Sequence, residues 1–349
     1  MRVIDVRNVN HALPEGLRML DLEGVQRDSR NGPVKVVPGP VTTVYRKPTE
    51  RVMFYPDRDC NPFFHLFESL WMLAGRNDVA YVKQFVKRME TFSDDGVTFN
   101  GAYGFRWREF FGQDQLEKVA QALRDNPEDR RQVVQIWDAS DLGKVSKDLP
   151  CNTQVYFGRG HEGELNMTVC NRSNDVIWGA YGANAVHFSY LLEYMAAWIG
   201  CPVGAYWQIS NNFHGYLNTY EPLKHLADLA ADPYRQPPLN EPYAVGMVTP
   251  FPLVNTGIAT WEKDLMMFLE EGENAIGYSD PFFRRVAVPM LRAYRAYKDN
   301  VGEQRYALAL GELSQVKATD WQLAGQEWIE RRFKKFVKAQ DDGPEHQAD

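Results

Sequence analysis

Apolar positions recur at helical spacing from Asn61 to about Ala74, where Phe64, Phe67, Leu70, Trp71 and Leu73 form a stripe. Pro62 suits an early helical position there and Gly75 a C-terminal cap, and Glu68 falls inside the same helix. Val79 to Thr91 and Gln113 to Leu123 also predict helices, and Ala185 to Trp198 predicts a central one, since apolar residues surround much of its cylinder. Residues 33–56 carry Val, Thr and Tyr in short runs broken by Pro38, Gly39, Pro40 and Pro48, a pattern of strands and turns. Gln132–Trp137, Val155–Phe157, Glu164–Cys170 and Val203–Ile209 read as further strands. Strands and helices mix without regular alternation, which predicts an α+β fold rather than a doubly wound sheet.

The pattern changes after about residue 258. Trp261–Glu271, Pro281–Tyr297, Glu303–Val316 and Trp321–Val337 predict successive helices with charged faces, and 339–349 is a polar tail. Residues 1–258 are therefore expected to form the main domain, with 259–338 a helical extension on or beside it.

Composition narrows the class. With 349 residues, 44% of them hydrophobic, 19 Phe, 17 Tyr and 9 Trp, the chain has ample material for a packed core. A net charge of −7 excludes a global basic field of the kind that holds nucleic acid, so any anionic ligand must be caught locally. Cys60, Cys151, Cys170 and Cys201 lack metal-like spacing, the first residues contain no signal-peptide run, and no stretch approaches the ~18 apolar residues of a membrane span. The expectation is a cytoplasmic protein with free thiols, no metal and no membrane contact.

The chemistry centres on Cys151, which stands between the turn-rich Lys147-Asp148-Leu149-Pro150 and an alternating run from Thr153. A thiol attacks as thiolate, which neighbouring arginines would favour. Arg130-Arg131 before a strand, Arg172-Ser173 after one and Arg30 in a turn could converge on one phosphate, because guanidinium forks match phosphate oxygens. Glu68, on an apolar face, must be paired, neutralised or hydrated. Each has an ordinary alternative: a core cysteine, solvated arginines, a salt-bridged carboxylate. Asn184 reads either as an N-cap or as an amide edge matching O4 and N3 of uracil, and His214 and Tyr216 reach either a sugar hydroxyl or local backbone.

In chain order, Arg30; Glu68-x-x-Trp71 with Gly75; Tyr103-Gly104-x-x-Trp107-Arg108; Asp129-Arg130-Arg131; Pro150-Cys151; Arg172-Ser173-x-Asp175-x-x-x-Gly179; Asn184; and His214-x-Tyr216 together resemble the thymidylate synthase family, which includes phage pyrimidine-nucleotide hydroxymethylases. The resemblance spans roughly residues 20–225. It implies a three-layer fold with a mixed sheet packed by helices, and an obligate homodimer. It also implies roles. Cys151 would add to carbon 6 of a pyrimidine deoxynucleoside monophosphate, activating carbon 5 toward the one-carbon unit of the cosubstrate 5,10-methylenetetrahydrofolate. Glu68 would move protons at O4, Tyr103 would assist loss of the carbon 5 proton, and Trp71 and Asp175 would meet the folate. Arg30, Arg172 and Ser173 would hold the phosphate, Arg130 and Arg131 that of the partner subunit's site, Asn184 the base, and His214 and Tyr216 the sugar.

Departures from the pattern refine this. Asn152 stands where thymidylate synthases carry histidine after the nucleophile, and the turn before Asn184 is one residue longer. Cys151-Asn152-Thr153 is closer to the hydroxymethylases, which add water rather than hydride, and Asn rather than Asp at 184 favours dUMP over dCMP. Reductive methylation to dTMP is the related alternative. From other classes come a nucleotide- or RNA-binding homologue without catalysis, and a cysteine hydrolase pairing Cys151 with His65, His187 or His214.

Overall fold

The computed structural model describes residues 2–231 and 241–341; most of the polar tail lies outside them. Among the described residues ten strands form two sheets: β1 Arg2–Val6, β2 Val25–Arg27, β3 Val34–Val36, β4 Val41–Tyr45, β5 Val133–Gln135, β6 Asn152–Arg159, β7 Leu165–Asn171, β8 Asn174–Asp175, β9 Val203–Ser210 and β10 Phe213–Tyr216. The larger sheet has the order β1-β4-β9-β7-β6-β5 and the smaller β2-β3-β10-β8. Both are mixed: β1 with β4, β7 with β9 and β8 with β10 run parallel, the other pairs antiparallel. Eight longer helices pack around them: α1 Val9–Glu23, α2 Pro62–Leu73, α3 Gln115–Asp125, α4 Asn184–Ile199, α5 Ile258–Glu271, α6 Val288–Asp299, α7 Gln304–Leu313 and α8 Thr319–Asp341. The expected α+β class holds.

One local expectation needs correction, and one helix is unannounced by the sequence pattern. Helix α1 escapes that pattern because Pro14 sits inside it, and proline removes the N–H that would bond the carbonyl four residues earlier. That carbonyl, on Asn10, instead accepts from the hydroxyl of Tyr55 at 3.0 Å. Asn8 caps the helix, accepting from the N–H of Asn10 at 3.0 Å. Val79–Thr91, expected as one helix, is a short helical turn at Val79–Val82 followed by another at Lys87–Phe92. Burial of Phe85 against Phe67, ring centroids 4.8 Å apart, takes over from helical propagation, and β-branched Val86 turns extended.

Helix α2 forms where the pattern placed it, with Asn61 as N-cap and Gly75 at φ +74° just past its end. Its aromatic face meets the C-terminal helices. Phe63 packs edge-on against Trp328 of α8 and beside Tyr294 of α6, and Phe67 stacks on Phe268 of α5. Truncating one such buried ring costs about 3–5 kcal/mol, a large part of the ~5–15 kcal/mol that holds a fold. The helices after residue 258 therefore brace the helix that carries Glu68.

Also on α2, His65 is held neutral, its pKa pushed down to about 3 by burial, with the charges of Arg58 and His187 adding to the effect. The unfolded chain takes up this proton near pH 6.5, the folded one only near 3, so the contribution is complete above 6.5 and is lost as pH falls through that window. His65→Phe should therefore lose less melting temperature than the parent between pH 6.5 and about 4. Parallel melting curves for the two proteins would exclude the imidazole as the source.

Candidate active site

A cleft of about 850 Å³ opens where the small sheet, the end of β7, α2 and the start of α4 meet. Cys151, Glu68, Trp71, Tyr103, Arg30, Arg172, Ser173, Asp175, Asn184, His214 and Tyr216 all line it. Three expected site residues do not. Asn152 is completely buried, and Arg130 and Arg131 are exposed around a separate depression, with Arg131 bonded to Asp129 at 2.8 Å.

Cys151 sits immediately before β6, where a bulge shifts the register from Asn152↔Asn171 to Gln154↔Cys170. A bulge of this kind re-aims side chains at a strand end. Its sulfur is 3.8 Å from Nη2 of Arg172. The expectation that arginines leave the thiol easily ionised is not met in the open cleft: burial raises its pKa, Arg172 and then Arg30 pull it down, and Asp148 pushes it up. Burial wins because Arg172 is exposed and turned partly to backbone, donating to Pro150 O at 2.9 Å and Leu149 O at 3.1 Å. Arg172→Gln should raise the thiol's pKa further and slow its alkylation at pH 7.5 by about three- to tenfold, the modest range expected of a solvent-screened charge. An unchanged pH profile of alkylation would remove Arg172 from the thiol's environment.

Behind the cleft runs a line of amides. Asn152 Nδ2 donates to Asn184 Oδ1 at 3.1 Å, and Asn184 Nδ2 donates to Asn174 Oδ1 at 3.0 Å. Asn174 Nδ2 in turn donates to Gln208 Oε1 at 2.9 Å and Ser210 Oγ at 3.0 Å, and Gln208 Nε2 donates to the Tyr206 hydroxyl at 2.8 Å. Each link fixes the orientation of the next. Asn184 is thus no N-cap: its backbone is helical, its side chain caps nothing, and the lengthened turn Val176–Ala183 bends at Tyr181 and Gly182 to deliver it. Its amide keeps one acceptor site and one donor site beyond those used in the line.

In the same cleft, Glu68 Oε2 lies 2.9 Å from His187 Nε2, and neither atom has an aligned hydrogen-bond partner. The hydroxyl of Tyr103 is set near the backbone N–H groups of Cys151 and Asn152, and burial keeps its pKa well above the usual tyrosine range. Tyr103 and Glu68 are locked together by Gly104: a Cβ there would come within 1.9 Å of Met72 O on α2, so only glycine permits the approach. Asp175 Oδ1 accepts from Ile177 N–H at 3.0 Å, while its buried Oδ2 has no partner, and burial raises its pKa. The Trp71 indole donates to Asp78 at 3.1 Å, leaving its ring as cleft wall.

His214 and Tyr216 share one face of β10, rings in edge contact at 5.3 Å, and Asn31 Nδ2 donates to the Tyr216 hydroxyl at 3.4 Å. Among the described residues no hydrogen bond joins Cys151 to His65, His187 or His214, so the dyad of a cysteine hydrolase is not assembled. Sequence reasoning missed His187 as a partner of Glu68, although its position three residues after Asn184 on a helix places both on one face. It also missed Arg58, whose guanidinium lies 4.4 Å from the Trp178 ring beside the cleft and whose buried Nη2 lacks a partner.

The family model described as thymidylate synthase matches residues 58–244, more than half of the chain. The chain belongs to the thymidylate synthase family. Among its relatives, the deoxyuridylate hydroxymethyltransferase of Pseudomonas phage M6 is 57% identical over 348 residues, covering 98% of this chain and 99% of that protein. The protein of the same name from Bacillus phage SP01 is 41% identical over 194 residues, 52% of this chain and 50% of its own length. The similarity to the M6 protein runs through the helices that follow residue 258, beyond the segment matched by the thymidylate synthase model.

Proposed function

We infer that this protein hydroxymethylates carbon 5 of dUMP. The observation that carries the reading is the 57% identity, across nearly the whole of both chains, to a deoxyuridylate hydroxymethyltransferase; the amide of Asn184, with one donor and one acceptor left over, agrees with a uracil edge. When bound, 5,10-methylenetetrahydrofolate supplies a one-carbon unit at the oxidation level of formaldehyde. The unpartnered Oδ2 of Asp175 and the ring of Trp71 suit its pterin, which presents N–H donors on a flat apolar body.

The protein's own groups divide the work. Arg30, Arg172 and Ser173 hold the phosphate, and His214 and Tyr216 the sugar. The Arg172 guanidinium, 3.8 Å from the sulfur, favours the thiolate of Cys151, which adds to carbon 6. Negative charge then develops on O4, where the donor of Asn184 and a proton managed by Glu68 stabilise it. Tyr103, neutral and close to the sulfur, assists departure of the carbon 5 proton.

Dimerisation belongs to the same reading. One face of the larger sheet leaves Gln154, Tyr156, Thr168, Cys170, Trp207 and Ile209 partly exposed, a self-complementary surface of suitable character. Arg130 and Arg131, outside their own cleft, would serve the partner subunit's phosphate. Mixing inactive Cys151→Ala protein with a weakened Arg130→Ala/Arg131→Ala protein should restore turnover above that of either parent; no gain on mixing would place these arginines elsewhere. The setting is the cytoplasm of an infected host, where the four free cysteines stay reduced.

The deciding experiment is mass spectrometry of the product from dUMP and methylenetetrahydrofolate. Gain of one carbon, one oxygen and two hydrogens, with tetrahydrofolate released, is expected. Gain of a methyl group with dihydrofolate formed would make the protein a thymidylate synthase, and faster turnover of dCMP would overturn the base assignment.

A further inference from the structure

The residue expected to account for water addition, Asn152, is fully buried behind Asn184 and lines no part of the cleft. Another group must handle the water. Of the titratable side chains in the cleft, Tyr103 is held neutral far above its usual range, Asp175 already accepts from backbone N–H at the turn after β8, and His214 stands with Tyr216 on β10. Asp148 is committed to Gly101 N–H at 2.7 Å. His187 differs from all of these. It lies one helical turn after the base reader Asn184, is buried, lines the cleft, and places Nε2 2.9 Å from Glu68 Oε2 with neither atom in an aligned hydrogen bond.

A buried imidazole 2.9 Å from a carboxylate, both residues lining the cleft, is equipped to take a proton from water there and pass it on to the carboxylate. We propose that His187, backed by Glu68, is the general base that delivers water to the one-carbon unit on carbon 5. The proposal rests on the hydroxymethylase reading above. At that stage carbon 6 carries the Cys151 sulfur and carbon 5 an exocyclic methylene conjugated with the carbon 4 carbonyl. Water oxygen forms a bond to the methylene carbon, the methylene π pair moves to the carbon 5–carbon 4–O4 system, and the water proton passes to His187 Nε2. The enolate then collapses, restoring the carbon 5–carbon 6 double bond and expelling the Cys151 thiolate. No oxidant or reductant is consumed, and the proton leaves the imidazole through Glu68 to solvent.

The step falls after loss of the carbon 5 proton, so the two are separable. With dUMP tritiated at carbon 5 and methylenetetrahydrofolate, His187→Gln and His187→Ser are assayed for tritium release, for 5-hydroxymethyl-dUMP, and for a thioether product formed with added 2-mercaptoethanol. In whichever variant keeps tritium release within about threefold of the parent, hydroxymethyl product should fall on the order of 10²-fold, and thioether should accumulate in its place. Loss of tritium release in both variants, or hydroxymethyl product undiminished in either, overturns the role of His187. The parent run alongside separates the two questions: a methylated product from the parent refutes the functional reading itself, whereas a hydroxymethylated one leaves the variants to judge His187.

Discussion

Cys151→Ala should abolish turnover, lowering it by roughly 10⁴-fold or more, because no other group in the cleft can form the bond to carbon 6 on which every later step depends. Binding should survive. In the proposed reading the phosphate, sugar and base would be held by Arg30, Arg172, Ser173, His214, Tyr216 and Asn184, of which Arg172 alone is hydrogen-bonded to the sulfur, so dUMP affinity by calorimetry should stay within about threefold of the parent. Loss of affinity together with turnover would mean that the sulfur's contribution is to shape the cleft. Unchanged turnover would refute covalent catalysis altogether, and with it the whole assignment of roles around Arg172 and Tyr103.

Asn184→Asp should lower turnover of dUMP by roughly 10³- to 10⁴-fold, since a buried site built to exchange hydrogen bonds with one base edge rejects a ligand that leaves them unpaired. The change should not by itself give an efficient dCMP enzyme. A carboxylate at 184 would face Asn174 Oδ1, which now accepts from Asn184 Nδ2 at 3.0 Å. Turning the Asn174 amide to meet it would sacrifice the donations to Gln208 and Ser210. Steady-state kinetics with both nucleotides in single and double variants checks this: Asn184→Asp with Asn174→Ser should recover more dCMP activity than Asn184→Asp alone, and equal activities would show that the line of amides does not set the base preference.

What could be read from the residues was the family, because Glu68, Cys151, Arg172 and Asn184 each lie beside neighbours that mark them, and the cleft brings these four together. Helix α2 was equally legible, with a proline at its start, a glycine past its end and an unbroken apolar stripe. Helix α1 was hidden by Pro14, whose cost is offset by a hydroxyl 41 positions away, on Tyr55, and no local pattern announces that. The burial of Asn152 outside the cleft lining has a reason visible in principle. Adjacent residues at the start of a strand face opposite ways, so a nucleophile pointing into the cleft sends its successor into the core. The link from Asn174 to Gln208 spans two sheets and 34 positions; only the fold joins them.

The contact of Gly104 with the end of α2 has a consequence for how the free energy of binding is used. Because the Tyr103 turn is seated against the carbonyl of Met72, and α2 is gripped on its far side by Phe268, Tyr294 and Trp328, the spacing between Tyr103 and Glu68 is set when the chain folds. An arriving nucleotide does not have to assemble them, and the reorganisation that would otherwise oppose the chemical step is met in advance by folding. On the proposed roles, substrate affinity would then be left to distinguish one base from another, while proton movement would proceed between groups held by a helix that the ligand need not shift.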